Sequence, residues 1–194
     1  MQVLPITLLG RAVRVEPLAL AHAVDIAAVI DFESMRYLLD RPATRDHVDV
    51  ESYIARQLAE PSRIAFAIVD QASSRAVGST SYMDIRPRHL GLEIGHTWLA
   101  PQVQGTHVNP ETKFLLLRHA FEELGCVRVQ LKTDGRNLQS QAAMTKLGCT
   151  REGVLRRHVI LPDGFVRDTV MFSVVDSEWP SVRDKLVQRL GYTP

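Results

Sequence analysis

Residues 101–111 read Pro101-Gln102-Val103-Gln104-Gly105-Thr106-His107-Val108-Asn109-Pro110-Glu111, and this stretch carries the chain from a strand into a helix. Asn109 is a good N-cap. The proline after it restricts it to extended backbone, and Pro110 suits the first helical turn, where its missing N–H would be unpaired anyway. Phe114, Leu117, Phe121 and Leu124 then space an apolar stripe along a helix over 110–124, and Gly125 stops it. Ahead of the cap, Gly105 lets backbone approach a ligand closely, and the free N–H groups of a helix start favour an anion such as a pyrophosphate. An ordinary capped helix after a loop accounts for the same residues, because one glycine is a weak phosphate signal.

Outward from this stretch, apolar spacing predicts the remaining elements. Toward the N-terminus lie a strand at 12–16, a helix at 18–30, and a second helix that Thr44 can cap. Val50, Ile54 and Leu58 face inward from that helix, which ends near Pro61. Strands at 64–69 and 76–85 form a hairpin about a polar turn, and a further strand at 92–99 leads into the quoted stretch. Beyond it come a strand at 127–132, a helix at 138–147, and strands at about 150–160 and 165–174 divided by the turn Leu161-Pro162-Asp163-Gly164. A helix at 177–190 closes the order. Hairpins first and crossovers later predict an α/β (α+β mixed) fold: one mixed, mostly antiparallel sheet of about seven strands with helices on both faces. The parallel pair should flank the 110–124 helix. No repeat, linker or low-complexity run divides the chain, so a single domain over 1–194 is expected.

Composition narrows the function classes. Of 194 residues, 45% are hydrophobic and 23% charged, with 23 basic against 22 acidic side chains and a net charge of +1. That is ordinary for a globular protein and leaves no basic footprint for nucleic acid, although a local anion pocket remains open. The longest apolar runs, such as Phe66 to Val69 and Phe114 to Leu117, fall far short of the ~20 residues of a membrane span. Met1 to Gly10 lacks the basic start of a signal peptide, so a cytoplasmic location away from membranes is expected. Cys126 and Cys149 fit no zinc spacing and read as buried thiols; no metal site is expected, and no Gly-x-Ser-x-Gly marks a nucleophile.

The ordered set Leu92-Glu93-Ile94-Gly95, Trp98-Leu99-Ala100-Pro101, Gln102-Val103-Gln104-Gly105, Asn137-Leu138-Gln139-Ser140 and Lys146-Leu147-Gly148 resembles the GNAT superfamily of acyl-CoA-dependent N-acetyltransferases. It is most similar to the branch of the ribosomal-protein alanine acetyltransferases RimJ and RimL, over about residues 10–175. The tail Glu152-Gly153-Val154-Leu155-Arg156, Pro162-Asp163-Gly164 and Arg167-Asp168 also resembles this branch.

The resemblance implies acetyl-CoA as co-substrate and a primary amine, of a protein N-terminus or a small molecule, as acceptor. It assigns Gln104, Gly105, Thr106, His107, Val108 and Asn109 to the pyrophosphate, and the backbone of Trp98 and Leu99 to the thioester carbonyl, where the family's strands splay. Glu93 lies in an otherwise apolar strand; the resemblance makes it the base, acting through water, while plain alternation would let it face solvent. Ser140 follows Asn137 by three residues, in the first turn of its helix; the resemblance makes it the acid for the departing thiolate and both residues cofactor contacts, while Asn137 also serves as an N-cap.

One position departs from the family. The signature ends in Gly or Ala where this chain has His107, which puts the close approach of the pyrophosphate in question there. His96 falls on the face opposite Glu93 by ideal alternation and reads as structural. Glu152, Asp168 and Asp84 could line an acceptor pocket, and a cluster of acids would suit a cationic amine. Two further readings stay open: a CoA- or acyl-CoA-binding protein without catalysis, and a structural domain acting as a homodimer.

Overall fold

The computed structural model describes residues 1–192. Its centre is the hairpin of β3 (Ile64–Asp70) and β4 (Arg75–Arg86), buried on both faces. β3 shows why. The small Ala65 and Ala67 point to one side and the large Phe66 and Ile68 to the other, so helices pack closely on the first face and a thick apolar core fills the second. To one side of the hairpin lie β2 (Val13–Pro17) and a two-residue strand, β1 (Leu8–Leu9). To the other lie β5 (Gly91–Leu99) and β6 (Arg128–Asp134), then β8 (Val166–Val175) and β7 (Thr150–Ile160). The eight strands form one sheet in the order β1-β2-β3-β4-β5-β6-β8-β7, antiparallel except for β5 against β6. The eighth strand is β1, whose two residues carry no alternation signal.

Helices cover both faces. α1 (Ala23–Val29) and α2 (His47–Ala59) lie on the side of Ala65 and Ala67, burying Ile26, Ile30, Val50, Tyr53 and Ile54 against Trp98. α3 (Val108–Arg118), α4 (Leu138–Leu147) and α5 (Trp179–Leu190) share the other core with Phe66, Tyr82, Leu92, Val129 and Phe172. The expected helix at 18–30 divides into a 3-10 turn, Leu20–His22, and α1. The expected helix at 110–124 is α3 followed by one π turn, His119–Glu123.

The start of α3 also differs from expectation. His107, not Asn109, is the N-cap and is already right-handed, and Asn109 sits inside the first turn with its Oδ1 buried and unpaired. Gly105, at φ 75°, turns the chain early, and the Thr106 hydroxyl accepts from Val108 N at 3.3 Å, so the helix begins before the Asn-Pro pair. Gly105 needs its left-handed conformation; residue 107 does not, and its β-carbon is tolerated without strain.

α3 is held to the start of the chain by a buried carboxylate. Glu111 accepts from the backbone N–H groups of Arg11 (2.5 Å), Ala12 (3.1 Å) and Val13 (3.1 Å) and from the Tyr192 hydroxyl. At the far margin of the sheet, β7 is exposed along most of its length and bulges twice against β8, between Arg151 and Gly153 and between Leu155 and Val159.

Candidate active site

Two irregularities in β5 make the site. β5 pairs with β6 only from Gly91–Glu93 against Arg128–Gln130. Past Glu93 the strands part: β5 runs on to Leu99 beside β4, and β6 to Asp134 beside β8. A wedge therefore opens in the sheet, lined by two strand edges without ladder partners. Ala100 N donates to Val77 O on β4, so alternation turns the Trp98 N–H toward β4 and the Leu99 N–H into the wedge.

The second irregularity is a bulge. Ser79 pairs with Trp98 but Ser81 with Gly95, so Thr80 faces both His96 and Thr97. His96 takes φ 51° and swings to the side of Glu93, where its ring stacks on Tyr53 of α2 at 6.2 Å. The alternation that would have placed it on the opposite face is reset by the extra residue. Burial pushes the His96 pKa down to about 4, so the ring is neutral near pH 7. Thr97 points the other way, to Thr80 (2.8 Å) and to the buried Lys113 Nζ (2.7 Å).

Glu93 is 1% exposed, so it does not face solvent. Lys132 Nζ lies 2.9 Å from its Oε2, and Gln130 Nε2 donates to the same oxygen at 3.2 Å. Among the described residues nothing donates to Oε1. That oxygen lies over Gly95, where a β-carbon would come within 2.6 Å of it, at the point where β5 leaves β6. Gly95 makes room for the carboxylate at the mouth of the wedge. Lys132 and Gln130 were not anticipated; their only signal is that they alternate on one face of β6. The Glu93–Gly95 spacing of the family motif has a steric meaning: the glycine leaves room for the carboxylate.

The 101–107 loop lies where β5 ends. Gln104 Nε2 donates to Leu99 O at 3.0 Å and to Ser34 Oγ at 2.8 Å, and Gln139 donates to Gln104 Oε1 at 3.4 Å. One side chain thus ties together β5, the segment between α1 and α2, and the start of α4. Gly105, Thr106 and His107 are exposed, and among the described residues no acceptor meets their N–H groups or that of Asn109. A β-carbon at Gly105 would meet nothing within 4 Å, so the loop is open on that side. Val108 is buried at the helix start. Asn137 caps α4 by accepting from Ser140 N at 3.0 Å, which leaves the half-buried Ser140 hydroxyl without a partner among the described residues.

Of the remaining candidates, Asp84 lies beside Glu93 through a shared Gln130 amide, and the other two fall elsewhere. Asp84 accepts from Gln130, Glu152 is bound to Arg128 and Ser173, and Asp168 accepts from Arg157 N. Burial raises the thiols, Cys126 to about 11 and Cys149 to about 12, so neither is a thiolate at neutral pH. A cleft of about 560 Å³, lined by residues including Phe32, Leu39, Asp40, Arg56 and Pro162, lies outside the wedge and contains none of the anticipated site residues.

This geometry meets the comparisons with known proteins. A family model described as an acetyltransferase (GNAT) domain matches residues 13–150. The chain belongs to the GNAT acetyltransferase family. Members of this family are acyltransferases that use acetyl-CoA. A protein from T. thermophilus assigned as an acetyltransferase is 42% identical, with a TM-score of 0.92 over 98% of this chain and 100% of its own. A GCN5-related N-acetyltransferase from Brucella melitensis is 29% identical, with a TM-score of 0.91 over 97% of this chain and 86% of its own. Mycobacterium smegmatis RimJ, solved with CoA-disulfide, shares the fold at 21% identity, with a TM-score of 0.78 over 95% of each chain. A search of curated proteins found no match. No helix among the described residues of this GNAT protein is long and apolar enough to cross a membrane.

Proposed function

We propose that this protein transfers the acetyl group of acetyl-CoA to a primary amine, of a protein N-terminus or a small molecule, by direct attack on the thioester. The bound co-substrate supplies an activated acyl carbon and a thiol leaving group. The free N–H groups of Gly105, Thr106, His107 and Asn109, ahead of α3, suit a pyrophosphate. The unpaired margins of β5 and β6 suit an extended pantetheine arm, which can add to them as a strand would. The Leu99 N–H, turned into the wedge, is assigned to the thioester carbonyl, and the Ser140 hydroxyl to the departing sulfur. Trp98 lends its side chain to the acceptor side, and Asn137 holds Ser140 in place through its cap.

The observation that carries this reading is the free Oε1 of Glu93 at the mouth of the wedge. An alkylammonium must lose a proton before it can attack, and a carboxylate with one bound and one open oxygen can accept that proton directly or through water. Purified protein with acetyl-CoA and a panel of amines and N-terminal peptides should release CoA above the hydrolysis background. Glu93→Gln, which keeps the shape, should lower kcat about 100-fold. Silence across the panel would overturn the reaction, and unchanged kinetics in the variant would overturn the base.

A further inference from the structure

Two arginines on the acceptor side of the wedge have no ion-pair partner among the described residues. Arg63, just before β3, shares the face of Ala65 and Ala67, and by strand spacing it stands about 10 Å from Glu93, two strands away. Arg167, on β8, is 5% exposed and shares the face of Thr169. It donates from Nε to Thr169 Oγ1 at 3.1 Å and from Nη1 to Tyr37 O at 3.3 Å, in the segment between α1 and α2 that covers this side.

Neither guanidinium has an ion-pair partner among the described residues, and Arg63 Nε is buried without a hydrogen bond. The carboxylates that act on them, Glu60, Asp40 and Glu93 on Arg63 and Asp134 and Glu93 on Arg167, lie beyond ion-pair distance and have partners of their own. Glu93 is bound to Lys132, Asp134 to Arg136, Asp40 to Arg56 and Gln57, and Glu60 to Ser62. Burial draws both guanidinium pKa values down against nearby carboxylates that pull them up. The Tyr53 hydroxyl, His96 Nε2 and Trp98 Nε1 are also buried and unpaired on this side, and Tyr53 and Trp98 are 0% and 2% exposed. Arg167 is buried and Arg63 half-buried with its Nε enclosed; a guanidinium stripped of water is costly unless an anion meets it, and its planar fork matches a carboxylate or a phosphate.

We propose that the acceptor is an amine that also carries an oxyanion, a carboxylate or a phosphate, and that Arg63 holds that group while the amine faces Glu93. This rests on the acetyl-transfer reading and names its substrate class. It departs from the expectation of an acidic pocket for a cationic amine: Glu152 and Asp168 are engaged elsewhere, and Asp84 shares the Gln130 amide with Glu93.

The test pairs acceptors that differ only in charge: amino acids against their carboxamides, and O-phosphoethanolamine against ethanolamine. The charged member should win by at least tenfold in kcat/KM, and the pair with the larger ratio identifies the oxyanion. Arg63→Gln, which breaks no side-chain hydrogen bond or ion pair among the described residues, should erase that preference, with the loss read in KM for the charged acceptors. Calorimetry on the CoA-bound protein reads the same preference without turnover. Oxyanion-dependent binding without acetylation would sink the acetyl-transfer reading and leave the pocket standing. Equal or better use of the neutral members or of polyamines, or no binding of the charged ones, would overturn the pocket.

Discussion

At the scale of single residues, Lys113 is a costly choice. It is 4% exposed and, among the described residues, meets two threonine hydroxyls and no carboxylate and has only the thiol of Cys149 as a titratable neighbour. Burial pushes its pKa down to about 7 from 10.5. Above pH 10.5 both folded and unfolded chains carry it neutral. As pH falls toward 7 the unfolded chain binds the proton first, so stability falls; below 7 both forms are charged and the full cost stays. Lys113→Met should therefore raise stability at pH 7 by on the order of 4 kcal/mol. It should also flatten the rise between pH 7 and 10.5 in urea titrations. Thr80 and Thr97 stay paired to each other at 2.8 Å, so the substitution leaves neither hydroxyl orphaned. A variant less stable at pH 7 would show that the ammonium holds the bulge together.

At the scale of elements, the wedge should be visible in solution. Residues 94–99 of β5 and 131–134 of β6 have ladder partners on one side only, so their inward N–H groups should exchange with solvent far faster than those of β3 and β4. Adding CoA should slow exchange in both segments and in 104–109, read by mass spectrometry. Protection confined to 104–109 would place the pantetheine arm outside the wedge. Elements also mark what the sequence could tell. The hairpin of β3 and β4, the parallel crossover and the Asn137 cap follow from periodicity and turn chemistry, which are local. The start of α3 was misplaced because Asn-Pro is a strong local signal, while the early turn depends on the φ of Gly105 and the reach of Thr106. The bulge at His96 has no signature in β5 itself, since it exists only relative to the register of β4. For the same reason Glu93 was legible as a candidate but Lys132, Arg63 and Arg167 were not; each becomes meaningful only across strands.

At the scale of the whole molecule, Glu111 connects distant parts of the chain through α3. It binds the N–H groups of residues 11–13 and the hydroxyl of Tyr192, so a single carboxylate joins the turn between β1 and β2 to the segment after α5. Hydrogen bonds to a buried charge are worth about 1.5–3 kcal/mol each, and an amide replaces one accepting oxygen with a donor aimed at other donors. Glu111→Gln should cost at least about 3 kcal/mol in denaturant unfolding, with KM for acetyl-CoA little changed in the folded fraction. A stability loss under about 1 kcal/mol would mean the turn is held by packing alone.

The sheet also has a free margin, and its shape governs how copies of the protein behave when crowded. β7 interrupts its own ladder twice, puts Arg157 at φ 51°, and leaves Arg151 and Arg156 exposed beside Val154 and Leu155. A border so crooked and so charged offers an incoming strand no straight run to zip onto. The apolar side chains there can meet another surface, but not by prolonging the sheet into a fibre.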